Sequence, residues 1–256
     1  MGKIISFSNQ KGGVGKTTTC VNMAAYLARA GKKVLLVDLD PQGNATTGLG
    51  FSKGSLKKSV YNVIIDDEDV RENTLPAQPD GLFILPSNVD LAGAEVSLVY
   101  KKSRDKVLRA ALEKVRAEYD YILIDCPPSL GLLTVNALAA ADSVIIPIQS
   151  EYYALEGLSQ LMNAIKLVRQ HLNKSLKVEG VVLTMYDGRL NLTLQVVDEV
   201  KKYFPEKVFK NVIPRNVRLS EAPSFGQPVL YFDRSSRGSQ AYEALTAEIL
   251  DKNRKG

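Results

Sequence analysis

This 256-residue chain has little histidine, little cysteine and no long apolar run. Its single histidine, His171, has no second histidine or cysteine nearby, so it reads as a helix-surface residue and not as a metal ligand. Its two cysteines, Cys20 and Cys126, stand far apart and outside any C-x-x-C pair. That spacing argues against a zinc site or a disulfide framework and for free thiols in a reducing compartment. No stretch has the length of a membrane span, and the N-terminus lacks the form of a signal peptide. The opening MGKIIS fits the M-G-x-x-x-S/T acylation pattern, but Ile4, Ile5 and Phe7 are wanted in a buried strand. Internal repeats, low-complexity segments and linkers are also missing, which predicts one domain spanning 1–256.

What is present is ordinary for a globular protein: 45% hydrophobic and 24% charged residues. The net charge of +5 is mildly basic and compatible with a polyanionic partner. Apolar strand-like runs (KIISFS, KKVLLVDLD, GLFILPS, YDYILIDCPP, DSVIIPIQ, KVEGVVLTM) alternate with helical periodicity over 17–29, 106–118, 132–140, 155–171, 190–203 and 239–250. This alternation predicts an α/β fold, a doubly wound and mostly parallel sheet flanked by helices. The irregular stretch 43–79, with the acidic DDED at 66–69, reads as an excursion on the rim of that sheet. Ligands of such sheets sit at the carboxyl ends of the strands. Four suggestive segments fall there: NQKGGVGKT, DLDPQGN, DCPPS and VLTMYDGR.

The first of these is a phosphate loop. Gly15, Lys16 and Thr17 match the end of G-x-x-x-x-G-K-S/T, while Gln10 stands where the first glycine belongs. Gly12, Gly13 and Gly15 offer the positive φ and close approach an anion nest needs, and Val14 and Thr18 complete the nucleotide-binding run. Lys16 is expected to reach the β- and γ-phosphates at the start of a helix, and Thr17 to offer Mg²⁺ a hydroxyl. Asp125, after four apolar residues, is the expected metal carboxylate. Asp40, just past its strand in VDLDPQ, is the candidate to orient attacking water and joins the metal site, with Asp38 in support. Lys11, on the opening limb, is either a solvated loop lysine or one that crosses to the nucleotide of a second subunit.

KGGVGKTTT, with a lysine ahead of the glycines, resembles the deviant Walker A loop of the ParA/MinD class of P-loop ATPases. DLDPQGNAT, PSNVDLAGAE, YDYILIDCPPSLGLLTVNAL, SEYYALEGLSQL and NVIPRNVRLSEAPSFGQP are similar to the chromosomal ParA (Soj) partition ATPases, over essentially the whole chain. The resemblance implies slow ATP hydrolysis with Mg²⁺ and an ATP-dependent sandwich homodimer in which Lys11 contacts the partner's nucleotide and Gly12 lies at the interface. It implies that Asp40 is the hydrolytic switch, that Glu151 is a cross-dimer nucleotide contact, and that Pro214 and Asn216 belong to the base pocket. It further implies nonspecific double-stranded DNA binding, release by a ParB-type partner, and a cytoplasmic, nucleoid-associated location. The longer plasmid relatives carry an N-terminal helix-turn-helix; this chain starts at the first strand, so specific operator binding is not expected.

Phosphate neutralisation by Lys and Arg dominates nonspecific DNA binding. Arg189 and Arg218 match arginines implicated in DNA binding in the family, and Lys201, Lys202, Lys207, Lys210, Arg215, Arg234 and Arg237 add to the basic second half. Phe225 departs from the polar residue expected in SEAPS-x-G. Two other readings remain. A MinD-like membrane ATPase would need a basic amphipathic C-terminal helix, whereas Leu245 and Ile249 form a thin stripe interrupted by Glu243 and Glu248. An iron–sulfur carrier would need thiolates facing a dimer axis, which Cys20 and Cys126 do not suggest.

Overall fold

The computed structural model describes residues 2–150 and 154–255. Seven strands form one sheet: β1 (Lys3–Phe7), β2 (Val34–Asp38), β3 (Leu75–Pro76), β4 (Leu82–Leu85), β5 (Tyr121–Asp125), β6 (Ser143–Gln149) and β7 (Lys177–Thr184). Their order is β3-β4-β2-β5-β1-β6-β7. Every pairing is parallel except that of β3 with β4. The helices are α1 (Lys16–Arg29), α2 (Asn44–Gly48), α3 (Val60–Ile65), α4 (Ala94–Val99), α5 (Val107–Glu113), α6 (Leu132–Ala140), α7 (Ala154–His171), α8 (Asn191–Tyr203), α9 (Val217–Glu221), α10 (Val229–Phe232) and α11 (Arg237–Lys255).

Strand alternation sends neighbouring side chains to opposite faces, and two cores result. Ile4, Leu35, Val37, Ile122, Ile124 and Ile146 face one way and pack under helices from α3 to α8. Ile5, Phe7, Leu36, Leu123 and Ile145 face the other way, under α1 and the C-terminal helices. Burial on both faces is why these strands read as continuous apolar runs. In α11, Tyr242, Leu245 and Ile249 are buried against the second core, so the thin C-terminal stripe is core packing. Among the described residues no helix is long and apolar enough to cross a membrane.

Two differences from the sequence expectations have local causes. The predicted helix 106–118 breaks after α5, because Lys114 and Val115 donate to carbonyls three residues back and tighten the turn. That tightening buries Val115 and lets Tyr119 lead into β5. The rim stretch 43–79 holds α2, α3 and the short antiparallel β3. Gly2 is buried and its carbonyl accepts from Arg116 Nε at 2.8 Å, so the acylation pattern marks packed backbone.

Candidate nucleotide site

Chain order sets the position of the site. After β1 the chain passes over β5 to reach β2, and after β5 it passes the other way to reach β6. The crevice at the carboxyl ends of β1 and β5 is therefore a switch point of the kind that binds ligands in doubly wound sheets. The loop 8–15 leaves β1 there. Asn9 anchors it, donating to Pro147 O at 2.7 Å and accepting from Lys11 N at 3.0 Å. From the far side, Thr184 Oγ1 at the end of β7 donates to Val14 O at 2.8 Å. Gly13 and Gly15 adopt φ of 74° and 83°, a left-handed backbone that side chains resist. Gly12 does not, contrary to the expectation that all three glycines supply positive φ. A Cβ built on it would lie 4.0 Å from Pro128 Cβ, an ordinary contact, so the fold of this chain leaves room for a side chain there.

Gly15 is the residue before α1, whose first N–H groups have no side-chain cap. Exposed donors at a helix N-terminus are an anion site. Thr17 and Thr18 are half-exposed beside it. Lys16 is buried and folds back, its Nζ donating to Lys11 O at 3.0 Å. Burial lowers the pKa of its ammonium, while the nearby carboxylates of Asp125 and Asp40 oppose that shift.

Three carboxylates gather under the loop, with different surroundings. Asp38 is buried and well supplied: Oδ2 accepts from Thr46 N and Thr46 Oγ1, both at 2.7 Å, and Oδ1 from Asp40 N at 3.2 Å. Burial still raises its pKa to about 6. Asp40 is 5% exposed, and its Oδ1 accepts from Gln42 N at 2.9 Å, fixing the turn that Pro41 begins. Asp125 is fully buried, and neither carboxylate oxygen has a hydrogen-bond partner. Burial and then the charge of Asp38 push its pKa well up; the facing Thr17 hydroxyl, outside hydrogen-bond geometry, and the Lys16 charge pull the other way. A buried carboxylate with both oxygens unmatched is rare and calls for a cation or a donor. Lone oxygens and a nearby hydroxyl suit Mg²⁺, which takes oxygen ligands and keeps several waters. Among the described residues there is no group of three or more His, Cys, Asp or Glu that could hold a metal.

A cavity of about 590 Å³ opens beside the loop. Thr17, Thr18 and Val21 line it from α1, Pro214 and Asn216 from the segment before α9, and Tyr242 from α11. Asn216 accepts from Arg218 N at 3.0 Å through Oδ1, capping α9 at the edge of the cavity. Sequence reasoning missed Thr184, Thr46 and Tyr242. Thr184 lies in the strand-end segment VLTM, which was the available signal; Tyr242 joins the site only through the packing of α11 on α1.

Glu151 lies outside the described residues. Arg189 and Arg218 are exposed but paired: Arg189 with Asp187 at 2.8 and 2.6 Å, Arg218 with Glu221 at 2.8 Å and Asp233 at 3.3 Å. Asp187 is held at about 2 by its bonds to Arg189. Their segments are neighbours, because Tyr186 N donates to Ile213 O at 2.9 Å. Phe225 is 67% exposed and stacks on Phe232 at 4.9 Å. His171 is exposed at the end of α7. Cys20 and Cys126 are free and buried, with burial raising both thiol pKa values, that of Cys126 to about 12.

Residues 2–178 match the family described as AAA domain. The chain is 59% identical to the sporulation initiation inhibitor protein Soj of Bacillus subtilis, over 97% of this chain and 98% of that one. It is 54% identical to the chromosome partitioning protein ParA of Myxococcus xanthus, over 99% of this chain and 89% of that one. The chain belongs to the Soj/ParA family of chromosome-partitioning P-loop proteins. Among solved structures, cobyrinic acid a,c-diamide synthase from Mycobacterium smegmatis with bound ADP and magnesium superposes with a TM-score of 0.88 at 37% identity, covering 100% of this chain and 97% of that one. The seven-stranded sheet of this Soj/ParA family member is thus the P-loop architecture.

Proposed function

We propose that this protein is an ATP-driven partition switch. It binds Mg²⁺–ATP, pairs with a second copy, holds DNA without sequence preference, and resets by slow hydrolysis that a ParB-type partner accelerates. The carrying observation is Asp125, a buried carboxylate with no donor, set beside Lys16 and Thr17 under the phosphate loop. In this reading the amides of 12–18 cradle the phosphates, Lys16 turns from Lys11 O toward them, and Thr17, Asp125 and Asp40 support Mg²⁺. The ion would neutralise charge building on the phosphates. Asp40 orients the attacking water. Lys11 reaches the partner's nucleotide, and Gly12 is small because the second copy approaches there, a demand the isolated chain does not make. Glu151 is assigned to the same cross-dimer contact by resemblance alone. Pro214 and Asn216 take the base in the adjoining cavity.

DNA binding is assigned to Arg189 and Arg218, which makes the protein nucleoid-associated in the cytoplasm. Fluorescence anisotropy on random-sequence duplex DNA tests this, with no nucleotide, ADP or ATP, at low and moderate salt. Salt-sensitive binding that needs ATP and weakens in Arg218→Glu is expected; no binding in any state sinks the reading. An amide-forming ligase, suggested by the synthase likeness, is less well supported. The partition relatives are more similar, and drawing ammonia from glutamine needs an activated thiol, whereas both thiols here are buried with raised pKa values.

A further inference from the structure

The outer side of α7 carries a cleft that neither the phosphate loop nor the arginine segments use. Its volume is about 430 Å³, and Met162, Ile165, Lys166, Arg169, Gln170 and Lys174 line it. The first five are spaced three and four apart, so they share one helix face. The floor is apolar: Ile165 is 2% exposed and Met162 is half-buried. The rim is cationic, since Lys166, Arg169 and Lys174 are all exposed. Among the described residues none of these three makes an ion pair, whereas Arg189 and Arg218 are matched by acids. Arg169 lies in the last turn of α7, where a cation offsets the negative end of the helix dipole. That explanation does not extend to Lys166, earlier in the helix, or to Lys174, beyond it.

We propose that this cleft docks a partner protein through an acidic segment built around an apolar anchor. The anchor seats on Ile165 and on the adaptable thioether of Met162. Flanking Asp or Glu side chains pair with Lys166, Arg169 and Lys174. Charge complementarity favours an acidic occupant, and the concave apolar floor favours a peptide over a phosphodiester backbone, which would leave that floor uncovered. The cleft lies in the half of α7 that runs toward the start of β7, away from the strand ends that hold the phosphate loop. A partner bound there leaves the nucleotide crevice open.

A random peptide library displayed against the whole protein tests this, followed by NMR on methyl-labelled methionine. Met162 is the one of the chain's four methionines that lines the cleft. Selected peptides should be acidic with an apolar anchor and should shift the Met162 methyl while leaving buried Met23 in place. Binding should weaken about tenfold in the double charge reversal Lys166→Glu/Arg169→Glu, with unchanged nucleotide binding as the folding control. The proposal is overturned if no acidic class is enriched, if enriched peptides leave Met162 unmoved, or if the reversed variant binds them equally. It also fails if random duplex DNA or phosphatidylserine vesicles move Met162 and the peptides do not.

Discussion

Asp38 and Asp125 are registered neighbours across β2 and β5, yet only Asp38 has donors. One strand-end carboxylate is spent on holding the chain, and the other is left unmatched. Replacing Asp125 by Asn removes an ionisable group that burial penalises. Asp125→Asn should therefore modestly raise the melting stability of the nucleotide-free protein. The same change should abolish the extra stabilisation that Mg²⁺ adds to ATP. Thermal melts with ATP, with and without Mg²⁺, separate the two effects. A variant less stable than wild type without ligand would contradict this account.

Thr46 works in the opposite sense. Its hydroxyl donates to Asp38 at 2.7 Å and accepts from Ser87 N at 2.9 Å, tying β2, α2 and the exit of β4 together. Thr46→Ala strands a buried amide and thins the donors around Asp38. A loss of about 1–3 kcal/mol in urea unfolding is expected, and Thr46→Ser should recover most of it.

Gly12 and Gly131 make a controlled pair. A Cβ on Gly131 would meet Glu95 Oε1 at 2.1 Å, while one on Gly12 meets nothing closer than 4.0 Å. Gly131→Ala should swing the flexible Glu95 carboxylate off Leu133 N at the start of α6, at small cost to the monomer. Gly12→Val should keep monomer stability and ATP binding and lose only ATP-dependent pairing. Light scattering after size exclusion reads that outcome directly, and an ATP-loaded Gly12→Val dimer would refute it.

Legibility followed the range of the interactions. Buried strands and long helices were legible because burial on both faces makes 3–7 and 34–38 continuous apolar runs, while 154–171 carries a helical period. β3 was not, since two residues ending in Pro76 carry no period. The phosphate loop was readable because glycine and lysine spacing is local chemistry. The donors around Asp38 were not, because Thr46 meets it only after α2 folds back. Arg189 and Arg218 were placed as surface cations, but the pairing of Arg218 with Asp233 spans a turn and two short helices and has no sequence signal.

In the proposed function, the pairing of Arg189 with Asp187 would restrain DNA binding. Arg189 holds the Asp187 carboxyl at about 2, below its ordinary 3.8. The contribution of this pair is present above the ordinary value and fades as pH falls toward about 2. A carboxyl NMR titration should find that midpoint, and Arg189→Ala should return it toward 3.8. Asp187→Ala releases Arg189 and should tighten ATP-dependent, salt-sensitive DNA binding several-fold; weaker binding would remove Arg189 from the DNA surface.

The thiols give a simple check. Both are buried and hard to ionise, so thiolate-specific reagents should leave Cys20 and Cys126 unmodified until the protein is denatured. Rapid labelling of the native protein would reopen the iron–sulfur alternative.

Asn216 gives the cavity a direct line to the surface. Its side-chain oxygen closes the first turn of α9, the helix that bears Arg218, and the same residue lines the cavity. The two ends of the amide cannot rotate independently. A ligand that takes hold of Nδ2 locks the helix cap, and one that turns the amide over unseats it. A ligand held by Asn216 would thus bear on the pose of an external arginine through one planar group.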